Sequence, residues 1–203
     1  MEAKARLARW KLPIETPRLL LRLPTRKDVP DLRRSFRDPR TARAAGAPLH
    51  SATERRDPNR MVVRTTSEYH RGEHLSLSVL HRESGRCIGR VGLRGLDWRW
   101  RKVESLAYWI DPTWWNRGYA TEASWFLCSG AFRALGMRRI GSQALDANRA
   151  SISVLRRLGF VEEGRERESV RVRGKCVDMV LFGLLRGELP PIRSMSPVWE
   201  RLG

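Results

Sequence analysis

Cysteine is scarce in this chain of 203 residues, which has only Cys87, Cys128 and Cys176. They lie far apart and match no metal-ligand spacing, so neither a disulfide framework nor a zinc site is expected. A reducing cytoplasm is the default setting, and all three thiols should be buried or chemically quiet. Histidine is nearly as rare, with four. His70 and His74 stand four apart with no further ligand type beside them, and no metal is expected. No apolar run approaches the roughly 20 residues of a membrane-spanning helix, and no secretory leader opens the chain. Lysine is short as well. Lys4, Lys11, Lys27, Lys102 and Lys175 are its only occurrences among 40 basic residues, so the rest of that charge is arginine.

What is present is ordinary in bulk and unusual in charge. Hydrophobic residues make up 41% and charged residues 31%, which suits a globular domain with a core, with or without short arms. The net charge is +18 with a pI near 11.3. Such a surface attracts polyanions, whether phosphorylated small molecules, RNA or an acidic substrate. No Lys/Arg run forms a tail and no nucleic-acid-binding motif appears, so a solvated basic surface is the simpler expectation.

The pattern organises around residues 106–123. Leu106, Tyr108 and Ile110 alternate with Ala107 and Trp109 in a bulky run that favours a strand. Asp111-Pro112 ends it, because proline has no N–H to give and restricts its predecessor. After Gly118 the apolar period becomes helical, through Ala120, Ala123, Phe126, Leu127, Ala131, Ala134 and Leu135. The first turn of that helix leaves backbone N–H groups unpaired at its positive end, which suits a phosphate. Asn116 and Gly118 tolerate the left-handed backbone that gathers N–H groups into one concavity. The stretch therefore predicts a diphosphate cradle.

Around it, residues 14–24 read as a first strand and 25–37 as a helix opened by Thr25 with Asp28. Residues 38–52 read as loop, and Ser51 with Glu54 as the start of a second helix running to about His70, which Pro58 breaks or delays. From His74 the period is two, with strands near 75–79, 86–93 and 103–110. Strands follow from Met137 to Leu145, from Phe160 to Val172 and from Cys176 to Leu185, with a short helix from Asn148 to Leu158.

Trp115-Asn116-Arg117-Gly118-Tyr119-Ala120-Thr121-Glu122-Ala123 resembles the acetyl-CoA loop of the GNAT N-acyltransferases. It is most similar to the Rim-type branch, named for ribosomal-protein N-terminal acetyltransferases. Asn148 with Ser151, Leu158-Gly159-Phe160, Glu163-Gly164, and Gly174 with Asp178 match further Rim-type signposts in order. The resemblance covers residues 14–188, leaving 1–13 as an N-terminal arm and 189–203 as a tail whose Val198, Trp199 and Leu202 suit docking as one turn. It implies an α/β (α+β) GNAT fold with about four helices and a mixed, mostly antiparallel twisted sheet of six to seven strands. That sheet should splay at the acetyl-CoA site.

The activity it implies is direct acyl transfer from acetyl-CoA to an amine, most simply the α-amine of a protein or peptide. The cofactor contacts it implies are Tyr108, Trp109 and Ile110 along the splayed edge, Trp115 through Thr121 in the cradle, and Asn148. Many relatives place a tyrosine where this chain has Leu155, and Rim-type enzymes are thought to use Ser151 instead as acid, with Asn148 beside it. Relatives often carry a glutamate where this chain has Ser105. Glu104, Glu168 and Asp178 are the remaining carboxylate candidates, and strand alternation sends Glu104 to the other face unless a bulge resets it. The rival readings are acetylation of a small amine such as an antibiotic or polyamine, a non-catalytic acyl-CoA-binding module, and an RNA-associated protein. A weak association with RNA or the ribosome, no membrane partner, and a monomer or homodimer complete the expectations.

Overall fold

The structure is a computed structural model that describes residues 7, 8, 10–44, 57–172 and 174–195. In chain order the strands are β1 (Ile14–Glu15), β2 (Leu19–Arg22), β3 (Leu75–His81), β4 (Cys87–Asp97), β5 (Lys102–Ile110), β6 (Arg139–Leu145), β7 (Val161–Val172) and β8 (Lys175–Leu185). The helices are α1 (Val29–Arg37), α2 (Pro39–Ala44), α3 (Pro58–Arg71), α4 (Tyr119–Arg133) and α5 (Arg149–Arg157). All eight strands join one sheet in the order β1-β2-β3-β4-β5-β6-β8-β7. Every pairing is antiparallel except β5 with β6.

The two faces of the sheet bury different groups. The larger core joins α4 and α5 to the sheet through Leu77, Val91, Leu106, Ala123, Leu127, Ile140 and Phe182, all at most 2% exposed. A smaller cluster of Val29, Leu32, Met61, Val62, Cys87 and Trp109 seats α1 and α3 on the opposite face. Alternation therefore places Trp109 opposite Leu106 and Ile110.

Several sequence expectations are corrected. The single first strand is two, because Thr16 turns the chain between them: its N–H donates to Leu19 O at 3.0 Å and its hydroxyl oxygen accepts from Leu19 N at 2.9 Å. That split raises the strand count to eight. Residues 38–52 are not all loop. Asp38 accepts from Arg40 N at 2.8 Å and Pro39 opens α2 with a preset backbone angle. The second helix starts at Pro58, with Asp57 accepting from Asn59 N at 3.1 Å, and the Ser51–Glu54 capping box lies outside the described residues. The Thr25–Asp28 box is present, and it leads through one 3-10 turn into α1.

The core also reaches past the expected domain bounds. Leu7 and Trp10 are buried in it, and the Trp10 ring occupies the space a Cβ at Gly130 would need. From the tail, Met195 is 3% exposed and Pro190 O accepts from Trp125 Nε1 at 2.8 Å. Val198, Trp199 and Leu202 lie outside the described residues. Of the thiols, Cys87 and Cys128 are buried but Cys176 is exposed, since it sits at the outer end of the β7–β8 hairpin opposite Arg171.

Candidate active site

β5 and β6 are paired only at Lys102 with Arg139 and Val103 with Ile140. Beyond that point β5 follows β4, with Tyr108 opposite Val91, while β6 follows β8, with Leu145 opposite Met179. Ser142 Oγ donates to Leu106 O at 2.9 Å where the two edges part. At the far end Ile110 O accepts from Trp115 Nε1 at 2.7 Å. Leu106 and Ile110 thus direct their carbonyls to the open side, and the period of two puts the Tyr108 N–H and C=O on the same edge between them. Trp109 pairs with Arg90 on β4, and its indole lies 5.3 Å from Phe36 on the other face.

A cavity of about 440 Å³ fills the gap. Its wall includes Tyr108, Trp109, Ile110, Trp115, Asn116, Gly118, Tyr119, Ala120, Thr121, Asn148 and Ser151, so the expected cradle, edge and serine meet in one place. Arg117 is exposed beside it, its guanidinium 5.4 Å from the Trp114 ring. Among the described lining residues the charged ones are Arg94 and Arg157.

The cradle has the local geometry its residues favour. Asn116 has φ 61° and Gly118 φ 75°, and Gly118 is the N-cap of α4. Two left-handed residues two positions apart suit the gathering of N–H groups into one concavity, and the first turn of a 15-residue helix adds its own unpaired donors. This turn is anchored from beneath. Glu122 is fully buried and accepts from the Thr16 hydroxyl at 2.6 Å, Arg18 N at 2.9 Å and Arg18 Nε at 2.7 Å. The Arg18 guanidinium also lies 4.6 Å from the Tyr119 ring.

Ser151 sits in the first turn of α5, where Asn148 is the N-cap and accepts from Ser151 N at 3.1 Å. Its hydroxyl oxygen is 3.0 Å from the Tyr108 hydroxyl oxygen, whose own proton is directed to Ser151 O at 3.1 Å. Burial pushes the Tyr108 phenol up from its ordinary value, against the opposing pull of the Ser151 hydrogen bond, so the phenol holds its proton. This hydroxyl pair is the feature sequence reasoning missed. Tyr108 was legible as an edge residue, but its partner is 43 positions away and no local pattern joins them.

The carboxylate candidates are placed elsewhere. Glu104 is exposed and lies against Gly95, whose φ of 61° marks a local break in alternation: Leu93 and Leu96, like Val103 and Leu106, are buried three apart. The reset does not bring Glu104 to the cavity wall, where Ser105 and Arg94 are. Glu168 has φ 50° at the irregularity in β7, and its N–H donates to Asp178 at 3.0 Å. That hydrogen bond, then Arg165, holds the Asp178 carboxyl below the usual carboxylate range. Neither lines the cavity.

Comparison with known proteins agrees with this geometry. The sequence profile of the acetyltransferase (GNAT) domain matches residues 18–161. An uncharacterized N-acetyltransferase of Bacillus licheniformis is 28% identical over 174 residues, spanning 85% of this chain and 96% of that protein. The fold is similar to that of Mycobacterium smegmatis RimJ solved with CoA-disulfide, with TM-score 0.77, 19% identity and coverage of 89% and 88% of the two chains. It is also similar to the ribosomal-protein-S5-alanine acetyltransferase of Vibrio fischeri, with TM-score 0.76, 19% identity and coverage of 89% and 100%. With its profile match, splayed sheet and left-handed loop ahead of α4, the chain belongs to the GNAT acetyltransferase family and is an N-acetyltransferase.

Proposed function

We propose that this enzyme transfers an acetyl group from acetyl-CoA to the α-amine of a protein or peptide. The observation that carries the reading is the Tyr108–Ser151 hydroxyl pair at the centre of the splay, with the left-handed cradle at its mouth. Acetyl-CoA, when bound, supplies a thioester activated for attack by an amine. The backbone N–H groups of 116–121 would hold its diphosphate, and the free edge at Tyr108 would align the chain beyond it. An N–H on that edge is suited to stabilise a developing oxyanion. The Ser151 hydroxyl is suited to hydrogen-bond the departing sulfur, and the Tyr108 phenol keeps that hydroxyl oriented.

The nature of the wall favours an α-amine. Its described side chains near Ser151 are hydroxyl, amide and apolar, and its two cations, Arg94 and Arg157, disfavour a further positive charge. Such a site leaves the acceptor to lose its own proton. An α-amine with pKa near 7.8 is roughly 10–15% neutral at pH 7, whereas a lysine near 10.4 is below roughly 0.1%. The gap corresponds to about 3.5 kcal/mol of deprotonation. The names of the two Rim-type structural neighbours point the same way. The alternative acceptor, a small amine of low pKa, meets the same chemical requirement.

The test is a peptide that carries both a free α-amine and one lysine, incubated with enzyme and acetyl-CoA at pH 7. Fragmentation mass spectrometry should find the acetyl group on the N-terminus. Acetyl-lysine as the main product would overturn the reading.

A further inference from the structure

At the end of the sheet away from the cradle, three arginines stand side by side. Arg138 N donates to Arg101 O at 2.7 Å, and Arg186 N donates to Arg138 O at 3.0 Å. The last registered pairs, Lys102 with Arg139 and Arg139 with Leu185, lie next to this trio. Each lies one step outside its strand, Arg101 with a left-handed φ of 51°, so these main-chain bonds and not a shared strand face bring the three together, and like charges gathered so closely repel. All three are exposed, and among the described residues none of their side chains is paired with a carboxylate. The neighbouring carboxylates are otherwise engaged. Glu163 binds Arg139, Glu188 accepts from Leu185 N at 2.7 Å, and Asp97 accepts from Trp100 N at 3.0 Å and lies 4.0 Å from Lys102.

Beside this row projects the turn between β4 and β5, with Trp100 61% exposed at its tip and the Arg99 guanidinium 5.4 Å from its ring. Three adjacent exposed cations beside an exposed indole match what single-stranded nucleic acid requires, phosphates to neutralise and a base to stack.

We propose that the Arg101–Arg138–Arg186 row and Trp100 form a binding surface for single-stranded RNA. The surface relieves the repulsion built into the row when phosphates occupy it. It lies at the N-terminal ends of β5 and β6, and the cradle begins just past the C-terminal end of β5. Nine residues of strand separate the two, on the order of 25–30 Å. RNA and acetyl-CoA can therefore be held together, and this surface is independent of which amine the enzyme acetylates.

The experiment measures binding of a short end-labelled single-stranded RNA by fluorescence anisotropy across a salt series. The proteins are the wild type, the row variant (Arg101→Ser, Arg138→Ser and Arg186→Ser together), a charge control (Arg33→Ser, Arg60→Ser and Arg167→Ser together), and Trp100→Ala. The row variant should bind at least tenfold more weakly and lose about 2 from the slope of log K against log salt, at roughly 0.7 per phosphate contact. Trp100→Ala should weaken binding while leaving that slope unchanged. The control should stay within about threefold of wild type, and acetyl-CoA affinity should be unaltered in all four, which also reports folding. Equal losses in the row variant and the control would reduce the effect to net charge and overturn the proposal. So would unchanged binding in the row variant, or tighter binding to anionic lipid vesicles than to RNA at equal phosphate.

Discussion

Tyr108 and Ser151 meet because a strand and a helix, each legible alone, pack on the same core, and their contact is a product of that packing. The resemblance to Rim-type enzymes singles out Ser151, and alternation places Tyr108 on the strand. Only the fold shows one hydroxyl 3.0 Å from the other. If Ser151 serves the departing sulfur, Ser151→Ala should lower kcat on the order of a hundredfold with little change in acetyl-CoA affinity. Tyr108→Phe should lower kcat too. The double variant should lose less than the two losses combined, since both act through one contact. Wild-type turnover in Ser151→Ala would return the serine to a helix-capping role. The thiols make a second test at this scale. Cys87 is pushed up to about 12 by burial and then by Asp28, and Cys128 is raised by burial alone. In the native protein at pH 8 an aromatic disulfide reagent should titrate Cys176 and spare the other two. A raised thiol favours the folded state below its unfolded pKa near 8.5. For Cys87 that contribution should fade as pH rises from there toward 12. Rapid native labelling of Cys87 would contradict its placement.

At the scale of the element, the passage from β5 into α4 is the best-read part of the chain. Alternation, Asp111-Pro112 and the switch to helical period mark it, and the fold follows them. The segment before α3 was poorly read, because a single Asp38 cap decides whether Pro39 ends structure or begins it. The anchor under α4 was also hidden, since Glu122 looks like an ordinary first-turn acid until Thr16 and Arg18 arrive from the start of the chain. Gly118 has φ 75° and ψ 0°, so Gly118→Asp adds backbone strain and a negative charge where a diphosphate would approach. By calorimetry its acetyl-CoA affinity should fall at least tenfold, about 1.4 kcal/mol. A folded variant with unchanged affinity would remove the cradle. Glu122→Ala should destabilise the protein by about 2–3 kcal/mol in urea, because it strips charged hydrogen-bond acceptors from buried Thr16 and from Arg18, whose side chain is 22% exposed. Stability within about 0.5 kcal/mol of wild type would show that the anchor carries little.

For the whole molecule, fold class and family were legible from ordered motifs, while the bounds of the domain were not. Leu7, Trp10 and Met195 close the core from the two ends of the described chain, and short termini carry too little periodicity to announce that. The +18 charge was visible from composition, but that Arg101, Arg138 and Arg186 meet at one end of the sheet shows only in the fold. The central claim is that the enzyme acetylates an α-amine that sheds its own proton in a cavity whose described wall carries no carboxylate. The most direct measurement is the pH dependence of kcat/KM for a free α-amine peptide, because that ratio reports the free enzyme and free substrate. Tyr108, raised by burial, holds its proton throughout and adds no break near neutrality. The rate should climb about tenfold per pH unit below pH 7 and level near the amine's own pKa of about 7.8. That plateau should move in step when the peptide is exchanged for one of higher α-amine pKa. A plateau fixed well below pH 7, indifferent to the peptide and abolished by Glu104→Gln or Glu168→Gln, would show a working carboxylate base and contradict the account.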